Sequence, residues 1–92
     1  MNYEEEVAVY RKDINRLNEE ILEKIRERII IALKVGVTKQ RYGKPIVDKA
    51  RESAVLNQVR VSAEVKGLNP KAIERIFAEI IKACVEAEEN QK

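Results

Sequence analysis

The sequence has no histidine, no tryptophan and only one cysteine, Cys84. A single cysteine cannot form a disulfide within the chain. Without histidine, the usual zinc sites and the Ser-His or Cys-His catalytic arrangements cannot be built. An enzyme made from this chain must therefore depend on positioning and electrostatics more than on proton transfer by imidazole. We expect no metal and no cofactor.

Long apolar runs and alternating strand-forming segments are also scarce. The longest apolar run, Ile29–Leu33, is far shorter than the roughly 20 residues that cross a bilayer. The first residues, MNYEEE, are acidic where a signal peptide would be basic and then apolar. We therefore expect a soluble, cytoplasmic, helical protein that does not bind membranes.

The chain has 92 residues, 45% of them hydrophobic and 37% charged, which suffices for one small domain over residues 1–92. A chain of this length buries well under about three quarters of the surface that it exposes when unfolded. Such a domain cannot build a large core alone. We expect self-association to supply the missing burial.

Apolar residues recur at steps of three and four along the first part of the chain. This pattern predicts a helix that begins after a cap at Asn2 and continues to about Arg41. Gly43 and Pro45 end it, since glycine permits a left-handed residue and proline cannot continue the hydrogen-bond ladder. A helix of about 38 residues is roughly 55 to 60 Å long. Two short helices cannot cover it, so we expect a second copy of the protein beside it.

Two shorter helices follow the first. Asp48 can cap the second helix, which ends at Gly67, and the pair Asn69-Pro70 marks the start of the third. The predicted fold is all-α, with three helices and a very long first helix, in a dimer. The third helix presents one apolar face, formed by Ile73, Ile76, Phe77, Ile80, Ile81, Cys84 and Val85.

A cation occupies a position in the first helix that its neighbours mark as buried. Residues spaced seven apart along one face of this helix are Val7, Ile14, Ile21, Arg28 and Val35. A buried cation without an anion is costly, so we expect Arg28 to have an anionic partner, supplied by the protein or by a ligand. The plain alternative is that Arg28 extends to the surface and pairs with surface acids.

Two further cations flank the same face. Lys39 lies eleven residues beyond Arg28, which places both on one side of the helix about 16 Å apart. Arg11 is about 25 Å from Arg28 by the same count, too far to share a small ligand within one helix. In an antiparallel pair of helices, Arg11 of the partner chain would lie close to Arg28.

The stretch GKPIVDKARE, residues 43–52, belongs to a local basic excess. Residues 39–51 carry five cations against one carboxylate, Asp48. The plain interpretation is a solvated loop leading into a helix capped by Asp48, with Arg51 and Glu52 in its first turn. The alternative is an anion site. Nucleic-acid binding is disfavoured, because the basic segment 39–51 has a single aromatic residue, Tyr42, and no groove-reading motif.

The apolar face of the third helix ends in a carboxyl group, Glu88. In a partly desolvated pocket a carboxyl holds its proton more firmly and can donate a hydrogen bond. The plain alternatives are an exposed Glu88 near the end of the chain and a Cys84 that is only a small core residue.

In this order and spacing, the residues resemble the all-helical class of chorismate mutases, small intertwined homodimers of three-helix chains. The resemblance extends from about Val7 to Glu88. It implies a Claisen rearrangement of chorismate to prephenate, the branch step toward phenylalanine and tyrosine, which needs no nucleophile, metal or obligatory proton transfer. It rests on Arg11-x-x-Ile14, Glu27-Arg28, Val35-Gly36 with Lys39, Pro45, Asp48 and Arg51-Glu52.

The resemblance also implies how the cations bind the substrate dicarboxylate. Arg28, and Arg11 from the partner chain, resemble the arginines that clamp its carboxylates. Lys39 resembles the residue that contacts both a carboxylate and the ether oxygen. Arg51 resembles a further helper on the carboxylate side.

Other positions match the rest of the family's pocket. By the same resemblance, Glu52 and the backbone of Asp48 hold the ring hydroxyl, while Val35, Ile81 and Val85 form apolar walls.

Two positions depart from the bacterial pattern. Cys84 stands where a serine commonly touches a carboxylate, so that hydrogen bond is expected to be weak or absent. Glu88 stands where many relatives have glutamine, and an ionised Glu88 would repel negative charge developing on the ether oxygen. Activity is therefore predicted to fall as Glu88 loses its proton.

Two other functions remain open on the sequence. An isochorismate pyruvate lyase of similar fold would bind a near-identical dianion, so the clamp alone does not exclude it. A non-catalytic dimeric helical interaction module, whose seam charges only set helix register, is the alternative from another class. That alternative predicts that chorismate neither binds nor stabilises the fold.

Overall fold

A computed structural model describes residues 1–91 of the chain. They form three α-helices: α1 (Tyr3–Arg41), α2 (Lys49–Val65) and α3 (Pro70–Asn90). The prediction of an all-α fold with three unequal helices is confirmed. None of these helices is both long enough and apolar enough to cross a membrane over residues 1–91.

The helix starts are set by local capping chemistry. The side chains of Asn2, Asp48 and Asn69 each accept a hydrogen bond from the backbone N–H three residues on, at 2.9, 3.0 and 3.1 Å. Each cap satisfies a donor that the first turn leaves unpaired. Gly43, with φ 66°, and Gly67, with φ 72°, turn the chain after α1 and α2 in a backbone conformation that disfavours side chains.

Helix α3 is the centre of the fold. It packs against both α1 and α2, whereas no Cα atom of α1 comes within 8 Å of one in α2 over the described chain. The most buried side chains therefore lie on α3 or face it: Ala63, Ile81, Cys84 and Glu88.

The N-terminal half of α1 is left uncovered by the rest of the chain. Tyr10, Ile14, Leu17 and Ile21 are between 45% and 68% exposed, and they form one apolar stripe. The molecule is 62 Å long, and its radius of gyration of 17.2 Å exceeds the roughly 12 Å of a compact chain of this size. The expected shortage of private core is present in the structure.

One residue of the predicted apolar face of α3 is not buried. Ile76 is 53% exposed, while its neighbour Phe77 is partly buried. At about 100° per residue, Ile76 lies about 100° around the helix from the centre of the face that contains Phe77, Cys84 and Glu88. It therefore misses both α1 and α2, and the prediction was wrong at this position.

Candidate active site

A cavity of about 450 Å³ opens between the C-terminal half of α1, the loop 42–48, the start of α2 and the end of α3. Ten of the eleven predicted site residues line it, and Arg11 is the exception. The ten are Arg28, Val35, Lys39, Asp48, Arg51, Glu52, Ile81, Cys84, Val85 and Glu88.

Helical periodicity brings these side chains together. On α1, Arg28, Val35 and Lys39 are separated by seven and four residues, so they lie on the face that looks toward α3. On α3, Cys84 and Glu88 are four residues apart and face α1. The turn at Gly43 then returns the chain so that the start of α2 closes the third side.

Lys39 makes the principal polar contacts of the site. Its Nζ donates to the carbonyl oxygen of Ile46 at 2.6 Å and lies 3.6 Å from a carboxylate oxygen of Glu88. An ammonium group has three N–H donors, so at least one donor is left for a ligand. Because its side chain is only 22% exposed, this donor acts where water screens charge weakly.

Glu88 is buried, with its side chain 5% exposed, although it lies near the end of α3. The plain alternative of an exposed Glu88 was wrong. Its carboxylate is covered because α3 lies close to α1 at Gly36. Burial of a carboxylate is tolerated here because the Lys39 ammonium faces it.

Arg28 has no carboxylate within 4 Å among residues 1–91. Its guanidinium donates instead to the Sγ of Cys84 at 2.8 Å. Glu27, the adjacent acid, pairs with Lys24 at 3.1 Å. The described residues of the single chain thus supply no anion to Arg28. The expectation of an anionic partner, from the protein or from a ligand, stays a prediction.

The buried Cys84 both packs in the core and lines the cavity. The sequence had left these two roles, core residue and pocket residue, as alternatives. A thiol sulfur is a weak, neutral acceptor. It fixes the direction of Arg28 without cancelling its charge.

The residues at the start of α2 differ in how far they are already engaged. The side chain of Asp48 caps α2, as predicted, while the role of its backbone in ligand binding stays a prediction. Glu52 is partly buried and lies 3.7 Å from Lys49. Arg51 has no carboxylate within 4 Å in the part of the chain that the structure describes. Two cavity-lining guanidiniums, Arg28 and Arg51, thus keep their charge available.

Arg11 lies outside the cavity. Its side chain is 61% exposed and reaches Glu4 at 3.7 Å. The helix rise places it about 25 Å from Arg28, as the sequence implied. A single chain therefore presents the cavity without Arg11.

Sequence reasoning missed several residues that line the cavity. The carbonyl of Ile46 is the closest partner of Lys39, but a backbone carbonyl leaves no signal in a sequence. Val55 has a usable signal, since it lies four residues after Arg51 on the same face of α2. The other missed wall residues are Glu27, Ile31 and Ala32.

Apolar walls with uncompensated guanidiniums and a poised ammonium make a site for a small organic anion. The fold and the site together are typical of the class of all-α domains that bind a small molecule. The chain belongs to the chorismate mutase type II family, whose model matches residues 10–89.

Individual relatives agree with the family match. The chain is 35% identical to the bifunctional chorismate mutase/prephenate dehydratase of Aquifex aeolicus, over 96% of this chain and 25% of that protein. It is 30% identical to the T-protein of Haemophilus influenzae, over 99% of this chain and 24% of that protein. It is 28% identical to the T-protein of Enterobacter agglomerans, over 94% of this chain and 23% of that protein. The chain thus spans about a quarter of the length of these relatives.

Removal of Lys39 should expose the cost of burying Glu88. We expect Lys39→Ala to lower the free energy of unfolding by about 2 to 3 kcal/mol, because an unpaired carboxylate remains in a largely dry site. Lys39→Ala/Glu88→Gln should be more stable than Lys39→Ala alone, since the amide carries no charge. Urea unfolding at one fixed protein concentration measures both.

Lys24→Ala is the matched control, because it breaks an exposed lysine–glutamate pair on the same helix. Its effect should stay below about 1 kcal/mol. Equal losses for Lys24→Ala and Lys39→Ala would contradict the assigned role of the buried pair.

Proposed function

We propose that this chain catalyses the rearrangement of chorismate to prephenate. The observation that carries the proposal is the convergence of Arg28, Lys39 and Arg51 on one cavity with apolar walls, with no carboxylate of residues 1–91 within 4 Å of either guanidinium. Membership of the chorismate mutase type II family supports the choice of substrate. Chorismate carries two carboxylates, which such a set of cations can bind at once.

The reaction is unimolecular, so orientation is the main task of the protein. One C–O bond breaks while one C–C bond forms within the same molecule, and no atom, proton or electron is exchanged with the protein. Arg28 and Arg51 hold the carboxylates so that the two reacting ends meet. A free substrate must lose conformational entropy on the way to the transition state. A substrate bound in this compact geometry has already lost that entropy on binding.

Electrostatic stabilisation of the ether oxygen is the second contribution. Negative charge grows on that oxygen as its bond to carbon lengthens. The remaining N–H of Lys39 donates to it, and Glu88 donates a second hydrogen bond when protonated. Donors held by Ile46 and by the α1–α3 packing need little reorganisation during the reaction.

The aliphatic wall residues serve the same end by excluding water. Val35, Val55, Ile81 and Val85 line the cavity between the charged groups. Such walls favour a folded over an extended substrate, and they strengthen every charge interaction inside.

We further propose that the active form is an intertwined homodimer in which the stripe on α1 packs against the more C-terminal part of the partner's α1. The stripe formed by Tyr10, Ile14, Leu17 and Ile21 supplies the apolar surface for this contact. Antiparallel pairing of two helices about 58 Å long brings the N-terminal half of one beside the C-terminal half of the other. The partner's Arg11 then reaches the site that contains Arg28.

Arg28→Ala should abolish most of the activity. We expect at least about a hundredfold loss in kcat/KM, because a desolvated guanidinium–carboxylate bond is lost in both the bound and the transition state. The assay follows the loss of chorismate absorbance, with prephenate identified by its conversion in acid to phenylpyruvate. Arg26→Ala is the control, because Arg26 is exposed and pairs only with Glu23.

Two results of this assay would speak against the proposal. One is no turnover of chorismate by a folded wild-type dimer, after which isochorismate would be the next substrate to test. The other is an equal loss of activity in the Arg26 and Arg28 variants.

Mixing two inactive variants tests whether Arg11 crosses the interface. Arg11→Ala and Arg28→Ala dimers, unfolded together and refolded at equal concentration, should recover about a quarter of wild-type activity. Half of the dimers are then mixed, and one of their two sites contains neither substitution. If Arg11 acted within its own chain, every site would carry a substitution and the mixture would stay inactive.

Glu88→Gln should flatten the dependence of kcat on pH. In the wild type, kcat is expected to fall as pH rises, because an ionised Glu88 stops donating and repels the charge on the ether oxygen. The glutamine amide donates at every pH. Parallel pH profiles for the two proteins would remove Glu88 from the proposed mechanism.

A further inference from the structure

Gly36 is the one residue of α1 that is buried. A glycine inside a helix is costly, by about 1 kcal/mol relative to alanine. Backbone conformation does not require it, since the glycines with positive φ are Gly43 and Gly67. Some other constraint must exclude a side chain at this position.

The constraint is the close approach of α3. A Cβ atom at position 36 would lie 3.1 Å from Cγ of Glu88 and 3.2 Å from Nε2 of Gln91. Both distances are shorter than ordinary van der Waals contact between such atoms. Glycine therefore allows the side chain of Glu88 to lie directly on the backbone of α1.

A second contact fixes the same region. Nε2 of Gln91 donates to the carbonyl oxygen of Leu33 at 3.0 Å, just past the end of α3. Leu33 and Gly36 lie within one turn of α1, and Lys39 follows three residues after Gly36. The distance between Lys39 and Glu88 is thus set by how closely α3 lies on this turn.

We propose that Gly36 is a positioning residue for Glu88. Its missing side chain lets the end of α3 close on α1 and holds the Glu88 carboxyl beside Lys39, where both donors face the ether oxygen. The catalytic part of this inference rests on the proposed function. The packing part does not.

Gly36→Ala should therefore reduce kcat about tenfold or more with much less change in KM, because the substrate clamp at Arg28 and Arg51 lies elsewhere. It should also weaken the predicted decline of kcat with pH, since a displaced Glu88 no longer faces the ether oxygen. A purely structural role would lower the amount of folded enzyme without changing the pH profile.

Removing the side chain that blocks position 36 supplies the decisive comparison. A Glu88→Ala background removes the Cγ contact at 3.1 Å and leaves near position 36 the flexible end of Gln91, at 3.2 Å, and the Cβ of residue 88, at 3.4 Å. Adding Gly36→Ala there should raise the unfolding temperature, because the Gln91 side chain can shift and alanine favours the helix. The same change in the wild-type background should give a smaller rise or a fall. The effect of Gly36→Ala on kcat should shrink to within about twofold in that background, because coupled residues are not additive.

Val37→Ala is the matched control, because Val37 is the next residue of α1 and is 51% exposed. Its effects on kcat and on unfolding temperature should be the same in both backgrounds. The inference is overturned by wild-type kcat in Gly36→Ala, or by equal effects of Gly36→Ala with and without Glu88. If the wild type does not convert chorismate, the proposed function fails, while the unfolding temperatures still test the contact between Gly36 and Glu88.

Discussion

The packing of the C-terminal half of α3 on α1 is the contact on which the rest of the structure depends. Of the four side chains that are buried among residues 1–91, Ile81, Cys84 and Glu88 lie in that half of α3, and Gly36 faces them from α1. The same contact orients the ammonium of Lys39 and forms one wall of the cavity. In a small chain with little core, one interface thus stabilises the fold and shapes the site together.

The cations of this site are oriented by neutral hydrogen-bond acceptors more than by opposite charges. The Cys84 sulfur accepts a hydrogen bond from Arg28, and the Ile46 carbonyl accepts one from Lys39. A carboxylate in either place would fix the cation equally well, but a bound anion would then have to compete with it. Neutral acceptors direct the cation and leave its field for the ligand. The single charged partner, Glu88 beside Lys39, is the group for which the proposed chemistry gives a pH-dependent role.

The sequence predicted those features that depend on residues close together in the chain. The caps at Asn2, Asp48 and Asn69 fixed the helix starts, and the seven-residue and eleven-residue spacings placed Arg28 and Lys39 on one face. The family resemblance selected ten residues that the fold gathers at one cavity. What failed depended on tertiary distances: the exposure of Ile76, the thiol partner of Arg28, and the carbonyl that receives Lys39. The steric reason for a glycine at position 36 likewise appears only when α3 is in place.

The uncovered half of α1 implies that the stability of the fold depends on the concentration of the chain. A helix whose stripe is exposed in the single chain gains much of its free energy only on association, so folding of the proposed dimer follows mass action. In such a dimer the unfolding temperature would depend on concentration, and dilution would remove folded chains as well as complete sites. Refolding of such a dimer would include a bimolecular step, whose rate rises with chain concentration. Abundance in the cell would therefore set the fraction of active chains, and not merely their number.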